Sequence, residues 1–231
     1  MSIPPRAGAV IDLVIFDSDG VLVDSEAIAL AVMAQAATAA GAPMDAAEAL
    51  AVFRGLKIAD CVAEIERRAG RSAPAGFIAE VRAGTAAAFE ADLRAVEGVH
   101  EALDALDAPI CVASNGPMAK LDQTLRLTGL MARFESRVFS AYEVGAWKPD
   151  PGLFHRAARV LHADPARCVV VEDSLAGVQA AAAAGMRVLG YVPPGADTGP
   201  ELADAGAEIF TAMAQLPGLL GVGPRGERPR R

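Results

Sequence analysis

Cysteine and histidine are both scarce in this 231-residue chain, and each shortage removes a class of chemistry. The three cysteines, Cys61, Cys111 and Cys168, are an odd number and match no zinc spacing. They therefore build neither a disulfide framework nor a structural metal site. Cys111 and Cys168 fall in apolar strand-like runs and Cys61 in a helical pattern, which reads as buried thiols in a reducing compartment. The histidines, His100, His155 and His162, share no metal-ligand spacing. No apolar run approaches the ~20 residues that a membrane-spanning helix needs. The first such run is broken by Asp12 and has no basic leader with a cleavage site, so no secretory signal is expected. Positive charge is also in deficit. A formal net charge of −8 and a pI near 4.9 disfavour nucleic acid or an anionic membrane as partner. Four arginines near the C-terminus (Arg225, Arg228, Arg230, Arg231) are interleaved with glycine and proline and read as a disordered tail. The expectation is a cytoplasmic chain with neither nucleic acid nor membrane as partner.

A hydrophobic content of 53% is enough for a sizeable core. The run Ala9-Val10-Ile11-Asp12-Leu13-Val14-Ile15 reads as a buried strand of a parallel sheet. The texture then changes. Residues 25–40 are alanine-rich and helical, with Asp24 or Ser25 as candidate caps, and Gly41 and Pro43 stop them. Further helical patterns cover 57–69 and about 74–93, the latter from the recurrence of Phe77, Val81, Phe89 and Leu93. No strand is expected between residues 25 and 95. Beyond Gly98 the rhythm alternates, with strand candidates at 109–113, 137–140, 168–171, 187–191 and 208–211. Such alternation predicts an α/β fold, a doubly wound, Rossmann-like parallel sheet. Its first strand and turn occupy residues 1–23, an inserted helical domain 24–94, and the remainder of the core 95–231.

Four strand ends carry polar groups suited to chemistry. Phe16-Asp17-Ser18-Asp19-Gly20 sets two carboxylates where the first strand turns, a place suited to a cation, to nucleophilic attack, or to capping a helix. Ser114-Asn115-Gly116-Pro117 offers a hydroxyl, an amide and a helix start, which suit a phosphate or an ordinary Asn-Gly turn. Lys148, within Trp147-Lys148-Pro149-Asp150-Pro151, is a compact positive charge that can meet a phosphate or remain a solvated surface lysine. Glu172-Asp173-Ser174 places a second acidic pair after a buried strand, for a cation or for the cap of the next helix. Two such pairs on adjacent strand ends could bind one hard cation, most economically Mg²⁺.

The order Asp-x-Asp, Ser-Asn, Lys-Pro, Glu-Asp resembles the motif set of the haloacid dehalogenase superfamily, with residues 24–94 in the place of its helical cap. The resemblance implies that Asp17 is a nucleophile forming an aspartyl-phosphate and that Asp19 is a general acid and base. It implies a Mg²⁺ held by Asp17, the backbone carbonyl of Asp19 and Asp173, with Glu172 behind them or bound through water. Ser114, Asn115 and Lys148 would bind the phosphate. A carboxylate and a phosphate dianion about 4 Å apart repel by roughly 8 kcal/mol at an effective dielectric of ~20, which cation and lysine would offset.

Asp19 separates the branches, because related dehalogenases and phosphonate-cleaving enzymes lack this second acid. A β-phosphoglucomutase type is the nearest alternative. Members of that type carry a histidine where this chain has Ala29 and a cap arginine where it has Ile58. The implied activity is therefore hydrolysis of a small phosphate ester, and the finer motifs resemble the branch containing 6-phosphogluconate phosphatases. The loop Phe53-Arg54-Gly55-Leu56-Lys57 would face the substrate, with Arg54 or Lys57 contacting its tail. A reading from another class is a phospho-accepting switch or a silent binding protein. Intact Asp17, Asp19, Lys148 and Asp173, the motif order and the large insertion oppose it.

Overall fold

The computed structural model describes residues 11–221 apart from 55, 57 and 136. Ala9 and Val10 of the first apolar run, Lys57 and the four C-terminal arginines lie outside the described residues. The chain divides into two compact units, residues 24–94 and the remainder.

The larger unit is an α/β sheet. It contains β1 (Leu13–Phe16) and, beyond the insertion with its helices α1 (Glu26–Ala39), α2 (Ala46–Phe53), α3 (Ile58–Ala69) and α4 (Phe77–Asp92), α5 (Val99–Ala105), β2 (Ile110–Ser114), α6 (Met118–Leu127) and α7 (Met131–Phe134). Then come β3 (Val138–Ser140), α8 (Ala141–Val144), α9 (Gly152–Val160), β4 (Cys168–Glu172) and α10 (Leu175–Ala183). It closes with β5 (Arg187–Tyr191), α11 (Gly199–Asp204), β6 (Glu208–Phe210) and α12 (Leu216–Leu219). The strands pair in the order β3-β2-β1-β4-β5-β6, and every pairing is parallel. This is the doubly wound parallel sheet expected from the alternating pattern.

Burial on both faces explains why β1, β2 and β4 read as nearly continuous apolar runs. Leu13 and Ile15 point into a core shared with Cys111, Phe154, Val170 and Val188. Phe16, one position out of phase, meets the edge of Phe134 at 6.1 Å between ring centroids.

The smaller unit holds α1 (Glu26–Ala39), α2 (Ala46–Phe53), α3 (Ile58–Ala69) and α4 (Phe77–Asp92). Met33, Ala37, Phe53, Ile65, Phe77 and Val81 form its core. Burying the larger of these side chains, all but Ala37, stabilises by roughly 1.5–3 kcal/mol each. Helix α2 is absent from the sequence expectation. Its signal is Asp45, whose Oδ1 accepts from Glu48 N at 2.8 Å, the Asp-x-x-Glu start of a capped helix. Ser25 occupies the N-cap position of α1 but makes no side-chain cap bond.

The sheet unit keeps the two ends of the insertion together. Val23 and Ala95 form an antiparallel bridge, and Val96 N donates to Leu22 O at 3.0 Å.

Candidate active site

Parallel pairing aligns the strand ends. Phe16 lies opposite Val112 of β2 and Val171 of β4, so Asp17, Ser114 and Glu172 all emerge at the carboxyl edge of the sheet. The chain crosses to opposite sides of β1 there, the switch point at which open α/β sheets bind ligands. Asp17 N donates to Val171 O at 3.0 Å, which fixes the first carboxylate against β4.

Lys148 is the centre of this cluster. It is only 4% exposed, and its Nζ donates to Asp17 Oδ1 at 2.6 Å and to Glu172 Oε1 at 2.5 Å. The Phe154 ring centroid lies 5.1 Å from the same ammonium. Asn115 holds the lysine backbone: Lys148 N donates to Asn115 Oδ1 at 2.9 Å, and Asn115 Nδ2 donates to Lys148 O at 3.4 Å. The Asn115 amide is thus directed at Lys148 and sets the position of the ammonium.

Glu172 is fully buried, and its second oxygen is also occupied. Oε2 accepts from Asp173 N at 3.1 Å, Ser174 N at 3.2 Å and Ser174 Oγ at 2.9 Å. Ser174 also caps α10, accepting from Gly177 N at 3.2 Å. A Cβ at Gly177 would fall inside the van der Waals volume of the Glu172 carboxyl group. The carboxylate is therefore seated against bare helix backbone, which glycine alone provides. Gly20, at φ 75°, does the same for Asp173, whose carboxylate occupies the space a Cβ would take.

The carboxylates of Asp17, Glu172 and Asp173 offer oxygen atoms that lie within 4.8 Å of one another. An all-oxygen, acidic donor set of this size fits a hard divalent cation.

Ser114 is buried, and its Oγ accepts from Gly116 N at 3.1 Å. Ser140, at the end of β3, donates to Gly116 O at 2.7 Å and so braces the same loop.

Burial is the largest influence on Asp17 and pushes its carboxyl up to about 7. Glu172 and Asp19 add to the rise, and Lys148 opposes it. Burial acts to lower the Lys148 ammonium, but the charges of Asp17 and Glu172 outweigh it, and the net direction is upward. The two shifts have different causes: burial raises Asp17 against the pull of Lys148, and the two carboxylates raise Lys148 against burial.

The structure thus gathers Asp17, Asp19, Ser114, Asn115, Lys148, Glu172 and Asp173 on one rim. The carboxylate of Asp19 accepts from Lys120 Nζ at 2.7 Å. Lys120 has no place in the sequence motifs. Its signal is positional, a lysine in the first turn of a helix that starts at the sheet's carboxyl edge. Arg54 belongs to the helical unit, where it pairs with Glu26 at 3.2 Å.

Known proteins resemble this chain over most of its length. The family model described as haloacid dehalogenase-like hydrolase matches residues 11–185. The 6-phosphogluconate phosphatase of Escherichia coli is 33% identical over 210 residues, spanning 90% of this chain and 94% of that protein. A haloacid dehalogenase-like protein of unknown function from Agrobacterium tumefaciens superposes with a TM-score of 0.79 at 37% identity, covering 91% of this chain and 97% of the other. A haloacid dehalogenase family hydrolase from Deinococcus radiodurans, solved with bound phosphate and sodium, gives 0.77 at 33% identity, covering 91% and 95%.

Proposed function

This chain belongs to the haloacid dehalogenase-like hydrolases, in the branch that holds sugar-phosphate phosphatases, and we propose that it hydrolyses a small sugar phosphate through an aspartyl-phosphate. The observation that carries the reading is the pairing of Lys148 with both Asp17 and Glu172 on the rim that also presents Asp19. Two carboxylates two residues apart stand in different surroundings, one buried and one about a third exposed, which suits a division of labour.

In this mechanism an Asp17 oxygen attacks phosphorus while the bond to the sugar oxygen breaks. Asp19 gives its proton to that oxygen, and the sugar alcohol leaves. Asp19, now ionised, takes a proton from water as the water attacks phosphorus. The bond to Asp17 breaks, and inorganic phosphate is released. Lys148 holds Asp17 in line for attack and balances charge on the transferring group, assisted by Ser114. Asn115 and Glu172 keep Lys148 in place. Asp17, Asp173 and the Asp19 backbone carbonyl would hold a Mg²⁺, with Glu172 behind them. When bound, the cation supplies neutralisation of the phosphate charge.

Residues 24–94 serve as the substrate-selecting cap in this proposal, with Arg54 and Lys57 as candidate contacts to the sugar tail. The match to a 6-phosphogluconate phosphatase supports this substrate class. Cytoplasmic residence belongs to the same proposal. It is supported by three buried cysteines that stand as free thiols. No described helix is long and apolar enough to cross a membrane.

The test is phosphate release from a panel of sugar phosphates, with and without Mg²⁺. Metal-dependent turnover that disappears in Asp17→Asn is expected. Interconversion of hexose phosphates without release, or turnover by Asp17→Asn at the wild-type rate, would refute the proposal.

A further inference from the structure

Lys120 is the third residue of α6, whose first turn contains no acidic side chain. A helix N-terminus favours anions, and a cation there is disfavoured by about 0.3–1 kcal/mol. Sequences that break a local rule next to a site are often answering to function. The compensating partner here is Asp19, 101 residues away in sequence, with Nζ 2.7 Å from Oδ2. The contact exists because β2 pairs directly with β1, so the helix that follows β2 starts beside the turn that follows β1. The side chains are 28% and 32% exposed, so water screens the pair only in part.

Asp19 itself stands on a tight turn. Leu22 N and Val23 N both donate to Ser18 O, and Gly20 N donates to Val23 O at 2.9 Å. The backbone is thereby fixed, and the ion pair to Oδ2 restricts the rotamers of the carboxylate. Each carboxylate of the Asp-x-Asp pair has its own lysine. Asp17 meets Lys148, from the segment after β3, and Asp19 meets Lys120, from the helix after β2.

We propose that Lys120 is a positioning residue, holding the Asp19 carboxyl group where it can pass a proton to the leaving oxygen. This inference rests on Asp19 being the general acid of the proposed mechanism. Proton transfer needs heavy atoms about 2.6–3.2 Å apart, and a misplacement of about 1 Å can cost on the order of 100-fold.

The test compares two esters in wild type, Lys120→Met, Lys120→Arg and Asp19→Asn. One is the best sugar phosphate of the panel, whose alkoxide cannot leave without a proton. The other is para-nitrophenyl phosphate, whose phenolate can. The quantity measured is kcat/KM, which reports the steps up to loss of the leaving group.

Lys120→Met is expected to lose about tenfold or more on the sugar phosphate and less than about threefold on the aryl ester. Lys120→Arg, which keeps a charged N–H donor, should recover most of the loss. Equal losses of kcat/KM on both esters, or no loss at all, would overturn the inference. If Asp19→Asn shows the split and Lys120→Met does not, this inference alone fails. If Asp19→Asn shows no split, the acid assignment fails and takes the inference with it.

Discussion

Gly177→Ala reverses the usual sign of a helix substitution and so tests the architecture of the rim. Gly177 lies in α10 with no positive φ, where alanine ordinarily gains about 0.4–1 kcal/mol. Its missing Cβ leaves the volume occupied by the Glu172 carboxyl group. That carboxylate has no exposed surface, and four donors fix it: Lys148 Nζ, Asp173 N, Ser174 N and Ser174 Oγ. Displacing it breaks at least two of these bonds to a charged group, at about 1.5–3 kcal/mol each. Subtracting the helix gain leaves a net loss of about 2–5 kcal/mol. For a chain of this size that lowers Tm by roughly 4–20 °C. Thermal unfolding at neutral pH reads the shift directly, and phosphate release should fall with it because Lys148 loses one of its two anchors. A Gly177→Ala protein as stable as wild type, or more so, would show that Glu172 is not seated as described.

Other perturbations follow from the same geometry. Lys148→Met leaves Asp17 and Glu172 as buried carboxylates without their shared cation. It should cost about 3–5 kcal/mol and at least ~100-fold in kcat. In urea unfolding the deficit should be larger at about pH 8 than at about pH 5, where a carboxylate can take up a proton; a deficit independent of pH would contradict the shared-lysine arrangement. Asp17 rises from 3.8 to about 7 on folding, so the folded protein retains a proton that the unfolded chain has released, and this group's contribution weakens stability as pH climbs across that window. A Mg²⁺ held as proposed would displace that proton, so the Tm gain at a fixed Mg²⁺ concentration should grow up to about pH 7 and then level off; a gain constant from about pH 5.5 to about pH 8 would refute it. All three thiols are buried, and burial pushes Cys168 up to about 11 and Cys61 and Cys111 upward too. A thiol reagent at about pH 8 should therefore label them only after denaturant is added, and rapid labelling of the native protein would contradict the packing.

The strand-end carboxylates were legible because each terminates an apolar run long enough to identify a buried strand, and parallel sheets collect such ends on one edge. Lys148 was legible as a position but not as a partner. Its place between Asp17 and Glu172 depends on β4 lying beside β1, and strand order leaves no local trace. Lys120 was hidden for the same reason, since in sequence it looks like any solvated helix lysine. In the sequence Asn115 suits a ligand, whereas in the fold its amide bonds the Lys148 backbone 33 residues away. Gly177 carried no signal, because the atom it makes room for belongs to a side chain in the preceding strand. Helix α2 was within reach through Asp45 and Glu48. It was obscured by an alanine-rich stretch with little periodicity, although Gly55 follows its C-cap residue in the sequence.

The bridge between Val23 and Ala95 also bears on how such a chain can change over time. From the standpoint of the sheet, the intervening residues are one long excursion whose two feet stand side by side. A two-residue turn is all that an antiparallel pair needs to reverse direction. Lengthening a flexible excursion costs only about 0.6 kcal/mol per doubling. Its size and content are therefore nearly free variables for the strands beneath. A new insert can be tried, kept or discarded between these feet while β1 and the turn bearing Asp17 and Asp19 keep their register.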